Sequence, residues 1–417
     1  MPEHHAPRHA TPRPTRLRRR VTALALAGVA ATATGVLAPS SSVAAPANGS
    51  TTVTVGSRSV DVTFNTPGND AQWDQAARLI RQSSPGSTIR MGVYNLTTPV
   101  ILDAVKAAVR NGVKVYAVGN GEHHTDGESP RLVELSRLLG SRFRWCDADR
   151  TASNDNDACI SNSSSGYMHA KYMMFSETKG RAGAVRKNVV WVSSANFSGS
   201  GRDLYNNSVT VYEDATLYRG FLSDVWTPMW TDPGYADNDY YNVSAGRGYF
   251  GSSASNSTVY VSPEQTTDLW LNRLSYVNPS SSCRIRVMHN TFRDTRIDVA
   301  KKLRSLAAGG CVIRVITAKS STPMGSQVKS TLNHPNISLR TSPVHDKAIL
   351  VNARYDGSAA NRYIVFTGSQ NLTLDALRYN DEVLLKLGDS KPLHDAFVDH
   401  FQHAWANGTD AGGGSSS

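Results

Sequence analysis

Apolar residues recur along this chain in two registers. Runs such as "IRMGV" (89–93), "YMMF" (172–175) and "NVVWVS" (188–193) are short and bounded by polar or small residues, whereas "DAQWDQAARLIRQ" (70–82) spaces its apolar positions three and four apart. The first pattern places side chains alternately on the two faces of a strand, and the second draws one apolar stripe on a helix. The succession then repeats. "STIRMGVYNLTTPVILDAVKAAVRNGVKVYAV" (87–118) matches "CRIRVMHNTFRDTRIDVAKKLRSLAAGGCVIRVIT" (283–317), each reading as strand, helix, strand. Helices precede both units, at 70–82 and in "TTDLWLNRLSYV" (266–277). Others close both halves, in "TLYRGFLSDVWTPMW" (216–230) and "SKPLHDAFVDHFQHAW" (390–405). A repeat this long marks a duplicated domain rather than a solenoid. The predicted class is α/β: two duplicated lobes, each a mixed sheet flanked by helices, related by a pseudo-twofold axis.

Composition then sets the boundaries. "RLRRRVTALALAGVAATATGVLAPSSSVAAPA" has a basic head, an Ala-rich apolar stretch from Val21 to Leu37 and small residues near Ala44 or Ala47. That is the layout of a signal peptide (1–44), too short for a membrane span, and it predicts a secreted, extracellular product. The Arg18–Arg19 pair leaves the export route open. A linker (45–51), a first half (52–230), a Gly/Ser/Asn-rich connection (231–257), a second half (258–406) and a disordered tail (407–417) follow. Of the formal net charge of +10, six Arg and one Glu leave with residues 1–44. No Lys/Arg block follows position 20, which weighs against nucleic acid as the partner.

Four cysteines remain, an even count that in an exported protein favours disulfides over metal. Cys146 and Cys159 bracket a polar loop, and Cys283 and Cys311 open the two strands of the second strand–helix–strand unit. The expected pairs are Cys146–Cys159 and Cys283–Cys311.

The candidate chemistry lies at the heads of two apolar runs. "GYMHAKYMMFS" (166–176) and "PVHDKAILVN" (343–352) each begin with a histidine and a lysine two apart, His169 with Lys171 and His345 with Lys347. Each is followed by a further run, ending in Ser194 and Asn196 or in Ser369 and Asn371. The histidines lie 176 residues apart and the asparagines 175. Residues two apart on a strand share a face, so each half offers one imidazole, one ammonium and one amide. Two lysines with amides and hydroxyls suit a tetrahedral oxyanion such as phosphate, and two histidines supply a nucleophile and a general acid. Such a site needs neither metal nor other cofactor.

This paired HxK…(G/S)SxN pattern resembles the phospholipase D superfamily across nearly the whole chain after residue 44. The resemblance implies a bilobal fold and phosphodiester cleavage through a phosphohistidine intermediate. It makes His169, Lys171 and Asn196 one half-site and His345, Lys347 and Asn371 the other, with Ser194 and Ser369 at the motif serines. The chain departs from the family where an aspartate usually follows the lysine by five residues, since Ser176 and Asn352 stand there. Family members also place an acid about where Glu382 stands, eleven residues past Asn371; the same count in the first half gives Asn207, or Ser208 if the Tyr-Asn pairs are aligned. A carboxylate on His345 would raise its pKa and suit it as general acid, leaving His169 as nucleophile. Glu382 pairing with Arg378 is the structural alternative.

The leading expectation is a monomeric, metal-independent phosphodiesterase that hydrolyses glycerophospholipids, at a membrane or vesicle surface, to phosphatidic acid and a free alcohol. A nuclease cleaving DNA or RNA on the same scaffold is the alternative. A non-enzymatic phosphate- or glycan-binding module leaves two matched histidines without a purpose, and a cardiolipin-synthase-like transferase lacks its membrane segment. Tyr94 and His289, at equivalent strand ends, are candidates to line the pocket mouth. His123 and His124, among the acids of "GNGEHHTDGE" (119–128), are a weaker metal candidate.

Overall fold

A computed structural model describes residues 49–124, 127–146, 157–231, 237–319 and 323–412. The expected signal peptide, residues 45–48 of the linker and residues 413–417 of the tail lie outside the described residues.

The first half opens with a hairpin, β1 (Gly49–Val55) and β2 (Arg58–Asn65), and helix α1 (Ala71–Arg81). There follow β3 (Thr88–Val93), α2 (Pro99–Arg110), β4 (Lys114–Asn120), α3 (Pro130–Leu139) and β5 (Phe143–Cys146). Pro99 and Pro130 occupy the first helical position, where the missing N–H has no intrahelical partner to lose. Three antiparallel strands complete the sheet: β6 (Tyr172–Lys179), β7 (Val185–Ser193) and β8 (Asn206–Val211). Helix α4 (Ala215–Phe221) leads through a π-helical turn into α5 (Thr227–Thr231).

The second half repeats this plan. It runs β9 (Tyr249–Ser252), β10 (Ser257–Ser262), α6 (Leu269–Ser275), a short β11 (Val277–Asn278), β12 (Arg284–His289), α7 (Ile297–Ala308) and β13 (Val312–Ala318). Then come α8 (Ser326–Thr331), β14 (Ile337–Ser342), β15 (Lys347–Tyr355), β16 (Asn361–Gly368), α9 (Leu374–Arg378), β17 (Glu382–Gly388), α10 (Lys391–Ala406) and β18 (Thr409–Asp410). The strand orders are β1-β2-β8-β7-β6-β3-β4-β5 and β18-β14-β13-β12-β15-β16-β17-β10-β9, with β11 added on β15. In both sheets the strand–helix–strand units pair in parallel and the HxK strands antiparallel, so both are mixed as predicted.

Alternation decides what each sheet buries. Met173 and Phe175 face α1 and α2 in an outer core, while Tyr172 and Met174 face inward. In the second half Ile349 and Val351 face α6 and α7, and Leu350 faces inward. The inward faces share one core with residues of α4 and α10, and α10 packs against strands of both sheets. The two lobes therefore meet through apolar packing, and the residues from 44 onward form one compact unit.

Three boundaries shift. The expected linker already contains the start of β1 at Gly49. The connection at 231–257 is partly strand, since β9 pairs with β10 and repeats the β1–β2 hairpin. The expected tail contains a strand, β18, whose Thr409 and Asp410 pair with Thr341 and Arg340. Both expected disulfides are present, with Cα atoms 4.5 Å apart for Cys146–Cys159 and 4.6 Å for Cys283–Cys311. Among the described residues no helix is long and apolar enough to cross a membrane.

Candidate active site

Each histidine stands just ahead of its strand and is gripped by the other half. The His169 N–H donates to the Asp381 carbonyl at 3.0 Å, and the Asp381 N–H to the Tyr167 carbonyl at 2.9 Å. The mirror arrangement holds His345, whose N–H donates to the Tyr205 carbonyl at 2.8 Å while the Tyr205 N–H donates to the Pro343 carbonyl at 2.8 Å. Asp381 and Tyr205 immediately precede the first residues of β17 and β8. Those residues, Glu382 and Asn206, carry the side chains that meet the two imidazoles.

This crossing corrects the expected partners. The Glu382 carboxylate holds His169, with Nδ1 at 2.8 and 3.0 Å from its two oxygens, and does not serve His345. The His345 Nδ1 instead meets Asn206 Oδ1 at 3.0 Å. Neither Asn207 nor Ser208 occupies the position equivalent to Glu382. The first-half loop is one residue shorter, so counting from the motif asparagine overshoots by one. Arg378 is taken by the carbonyls of Glu264 and Thr267, at 2.7 and 2.6 Å, and does not pair with Glu382.

Both lysines lie almost wholly buried between these groups. Lys171 Nζ donates to the His169 carbonyl at 2.5 Å, and Lys347 Nζ to the His345 carbonyl at 2.6 Å. Lys347 also reaches the Ser194 carbonyl at 3.2 Å, which ties the second HxK to the first SxN loop. Burial pushes Lys347 down to about 7, against the pull of Glu382 and Asp346. Burial drives Lys171 well below its ordinary range too, with Glu382 opposing and Lys347 adding. Burial lifts Glu382 to about 7 against the neighbouring lysines and the Ser369 hydroxyl. His169 is driven down by burial and then by Lys171 and Lys347. Burial thus disfavours charge on both members of the Glu382–His169 pair, while their 2.8 Å contact favours a hydrogen between them.

The motif serines brace the two partners. Ser194 Oγ donates to Asn206 Oδ1 at 3.1 Å and receives the Asn207 N–H at 2.9 Å. Ser369 Oγ receives the Val383 N–H at 3.0 Å and opposes the upward shift of Glu382. The side-chain oxygens of Asn196 and Asn371 are buried and have no hydrogen-bond partner among the described residues.

Tyr94 lies within the cluster. Its ring is edge-on to His169 at 4.9 Å between centroids, and Lys171 Nζ lies 4.7 Å from it. His289 corrects the expectation for it. It is fully buried beneath Trp270 rather than at a pocket mouth, both ring nitrogens lack partners among the described residues, and burial pushes it down to about 3. It faces Lys347 across the β12–β15 ladder, and sheet register makes Val93, not Tyr94, its first-half counterpart. His123 and His124 do not converge on a common point: His123 packs edge-on to Tyr94 and His124 stacks on Trp145. No group of three or more potential metal ligands occurs among the described residues. Ser176 and Asn352 lie down their strands from the site, in local bonds to the Thr88 N–H at 2.8 Å and the Asn361 amide at 3.1 Å.

Sequence reading missed Asn206, Asp381 and Asp346. Asp381 is fully buried and accepts the N–H groups of Cys159, Ile160 and Ser161 at 2.6, 3.0 and 2.8 Å, pinning the first half's disulfide loop beside Glu382. Asp346, between His345 and Lys347, meets the Asn207 amide and His400 Nε2, the latter at 3.2 Å. The available signal was the strand start. Asn206 and Glu382 are the polar residues that open the runs "NNSVTV" and "EVLLKLG".

The family described as "Cardiolipin synthase, PLD-like domain" matches residues 77–226 and 278–405, one stretch in each half. No curated protein sequence matches the chain. Among solved structures, phosphatidylserine synthase from Haemophilus influenzae Rd KW20 aligns with a TM-score of 0.53 at 11% identity, over 84% of this chain and 87% of that one. Polyphosphate kinase from Porphyromonas gingivalis gives 0.52 at 14% identity over 83% of this chain and 50% of the other, so this chain spans about half of that enzyme. Nuc, a phospholipase D family member from Salmonella typhimurium, gives 0.30 at 26% identity, over 37% of this chain and 96% of that one. A family match in both halves, and two half-sites that interlock across the duplication, lead to one assignment: the chain belongs to the phospholipase D superfamily of phosphodiester-acting enzymes.

Proposed function

We propose that the chain is an exported, metal-independent phospholipase D that cleaves glycerophospholipids to phosphatidic acid and a free alcohol. The observation that carries this reading is the crossed placement of His169 on Glu382 and His345 on Asn206, with both lysines buried between them. With its Nδ1–H donated to the Glu382 carboxylate, His169 presents an Nε2 lone pair. Attack on phosphorus forms an N–P bond and leaves positive charge on the ring, which the carboxylate stabilises. That is a different reason from the expected one for the same role, nucleophile. The P–O bond to the alcohol breaks, and His345 Nε2 supplies the proton. Water then gives its proton to His345 and its oxygen to phosphorus, releasing His169. Lys171, Lys347 and the amides of Asn196 and Asn371 surround the charge that builds on the phosphoryl oxygens.

A lipid substrate is supported by the absence of a basic block after position 20 and by the family's description as a lipid synthase domain. The test is incubation in EDTA with phosphatidylcholine vesicles and, separately, with plasmid and RNA. Phosphatidic acid released from the vesicles supports the proposal. Cut nucleic acid with intact lipid replaces it with the nuclease reading.

A further inference from the structure

The two histidines are held by chemically different partners in the same place. Where the second half contributes the Glu382 carboxylate to His169, the first half contributes the Asn206 carboxamide to His345. The orientation of that amide is fixed by its surroundings. Asn206 Nδ2 donates to the carbonyls of Gly201 at 3.2 Å and Leu204 at 3.4 Å, and Oδ1 also receives the Ser194 hydroxyl at 3.1 Å. Turning the amide would set its NH₂ against His345 and its oxygen against two carbonyls, so Oδ1 faces the imidazole. Against that oxygen His345 carries its hydrogen on Nδ1, and Nε2, 3.1 Å from Lys347 Nζ, is the nitrogen left to take or give a proton. A neutral carbonyl accepts that N–H but adds little to the protonated ring, whereas a carboxylate would stabilise it strongly.

The cationic neighbours work in the same direction. Lys347 Nζ lies 3.0 and 3.1 Å from the two ring nitrogens. Lys171 and His169 approach from ahead of β6, and burial, Lys347, Lys171 and His169 together hold the His345 imidazole well below its ordinary range. The Ser194 backbone opposes them. Asp346, next in sequence, is turned away to Asn207 and His400. Glu382 is engaged with His169.

We propose that Asn206 limits fast turnover to phosphodiesters with a weakly basic leaving group, because it holds the leaving-group acid, His345, with a neutral carbonyl. This refines the phospholipase D reading and rests on it: alcohol head groups are cleaved, but far more slowly than phenolic ones. In the first step the P–O bond breaks and its electron pair goes to the leaving oxygen. When His345 carries no proton, that oxygen departs as an anion, which is slow for an alkoxide and fast for a phenolate. In the second step an unprotonated His345 is the form needed to take the proton of water. The asymmetry therefore slows only the first step, and only for basic leaving groups.

The test measures kcat/KM for diesters of one phosphatidyl group whose leaving groups run from p-nitrophenol through less acidic phenols to ethanol. Wild type and Asn206→Asp are compared, each at several pH values. The expected result is a steep fall in wild-type rate with leaving-group basicity. Asn206→Asp should recover the ethyl ester relative to the p-nitrophenyl ester by about tenfold or more, and should carry the alkaline limb of the profile to higher pH, since each unit gained in pKa is a tenfold gain in protonated acid. An unchanged ethyl-to-nitrophenyl ratio in a folded Asn206→Asp overturns the inference and leaves the phospholipase D reading intact. If wild type cleaves none of the series, both fall. Should Asn206→Asp not fold, the wild-type protein decides alone: a shallow dependence on leaving group, or a His345 that NMR titration places at or above free imidazole, overturns the inference.

Discussion

Glu382 and His169, 213 residues apart in the chain, are joined Nδ1 to carboxylate at 2.8 Å across the two halves of a duplicated protein. Neither half holds its own histidine. The active arrangement exists only when the lobes are docked, and the apolar core between the inner sheet faces docks them.

Glu382→Gln should lower kcat by about 10²- to 10⁴-fold with KM little changed, because the amide no longer compensates the charge that develops on His169. Steady-state kinetics on a phospholipid diester measure this, with melting as the control for folding. A variant within threefold of wild type would remove the carboxylate from the mechanism.

Phosphate should be trapped on His169. Rapid quenching during turnover and mapping of the phosphopeptide will show label in the segment that contains 169 and none in the one that contains 345. His169→Ala and His345→Ala should each lose several orders of magnitude on an alkyl diester, since such groups act as a unit. Label on His345 would reverse the two roles.

Lys347 ties pH to stability. Its folded pKa of about 7 lies below its ordinary 10.5, so between those values the unfolded chain binds more protons than the folded one. The contribution of this lysine to stability therefore rises as pH climbs from about 7 to 10.5 and is unfavourable below. Lys347→Met should melt higher than wild type at pH 7 while losing at least about 10²-fold in activity. The gain in melting temperature should shrink toward pH 10. An equal gain at both pH values would show that packing, not charge burial, is responsible.

The two disulfides should differ in consequence. Cys159 donates its N–H to Asp381, the residue before Glu382, whereas Cys283 and Cys311 sit at the strand ends opposite His289. Replacing either pair with serines should cost about 2–4 kcal/mol in denaturant melts. Only loss of Cys146–Cys159 should also lower kcat, as should Asp381→Asn. Equal kcat in the two double-serine proteins would separate the disulfide loop from the histidine.

The sequence carried the duplication, the fold class, both disulfides and all four HxK residues. Those features are written in local spacing, in the period of apolar residues or in repeated residue types. The counterpart of Glu382 was not legible, because a loop shortened by one residue has no energetic signature in sequence and counting across it fails. His289 was misread for a related reason. Its alignment with Tyr94 matched letters, whereas ladder register pairs residues across a sheet and shows His289 opposite Lys347, buried under Trp270.

What the sequence determined by itself is the inventory: two imidazoles, two ammonium groups and two amides at strand ends, with one carboxylate in one half only. Tertiary structure decided who serves whom. Each HxK lead-in bridges to the strand start of the opposite lobe, so Glu382 went to His169 and left His345 with Asn206. A backbone bridge between lobes depends on how two finished sheets dock. Docking is fixed by the whole buried face between them, a property that no single stretch of residues contains.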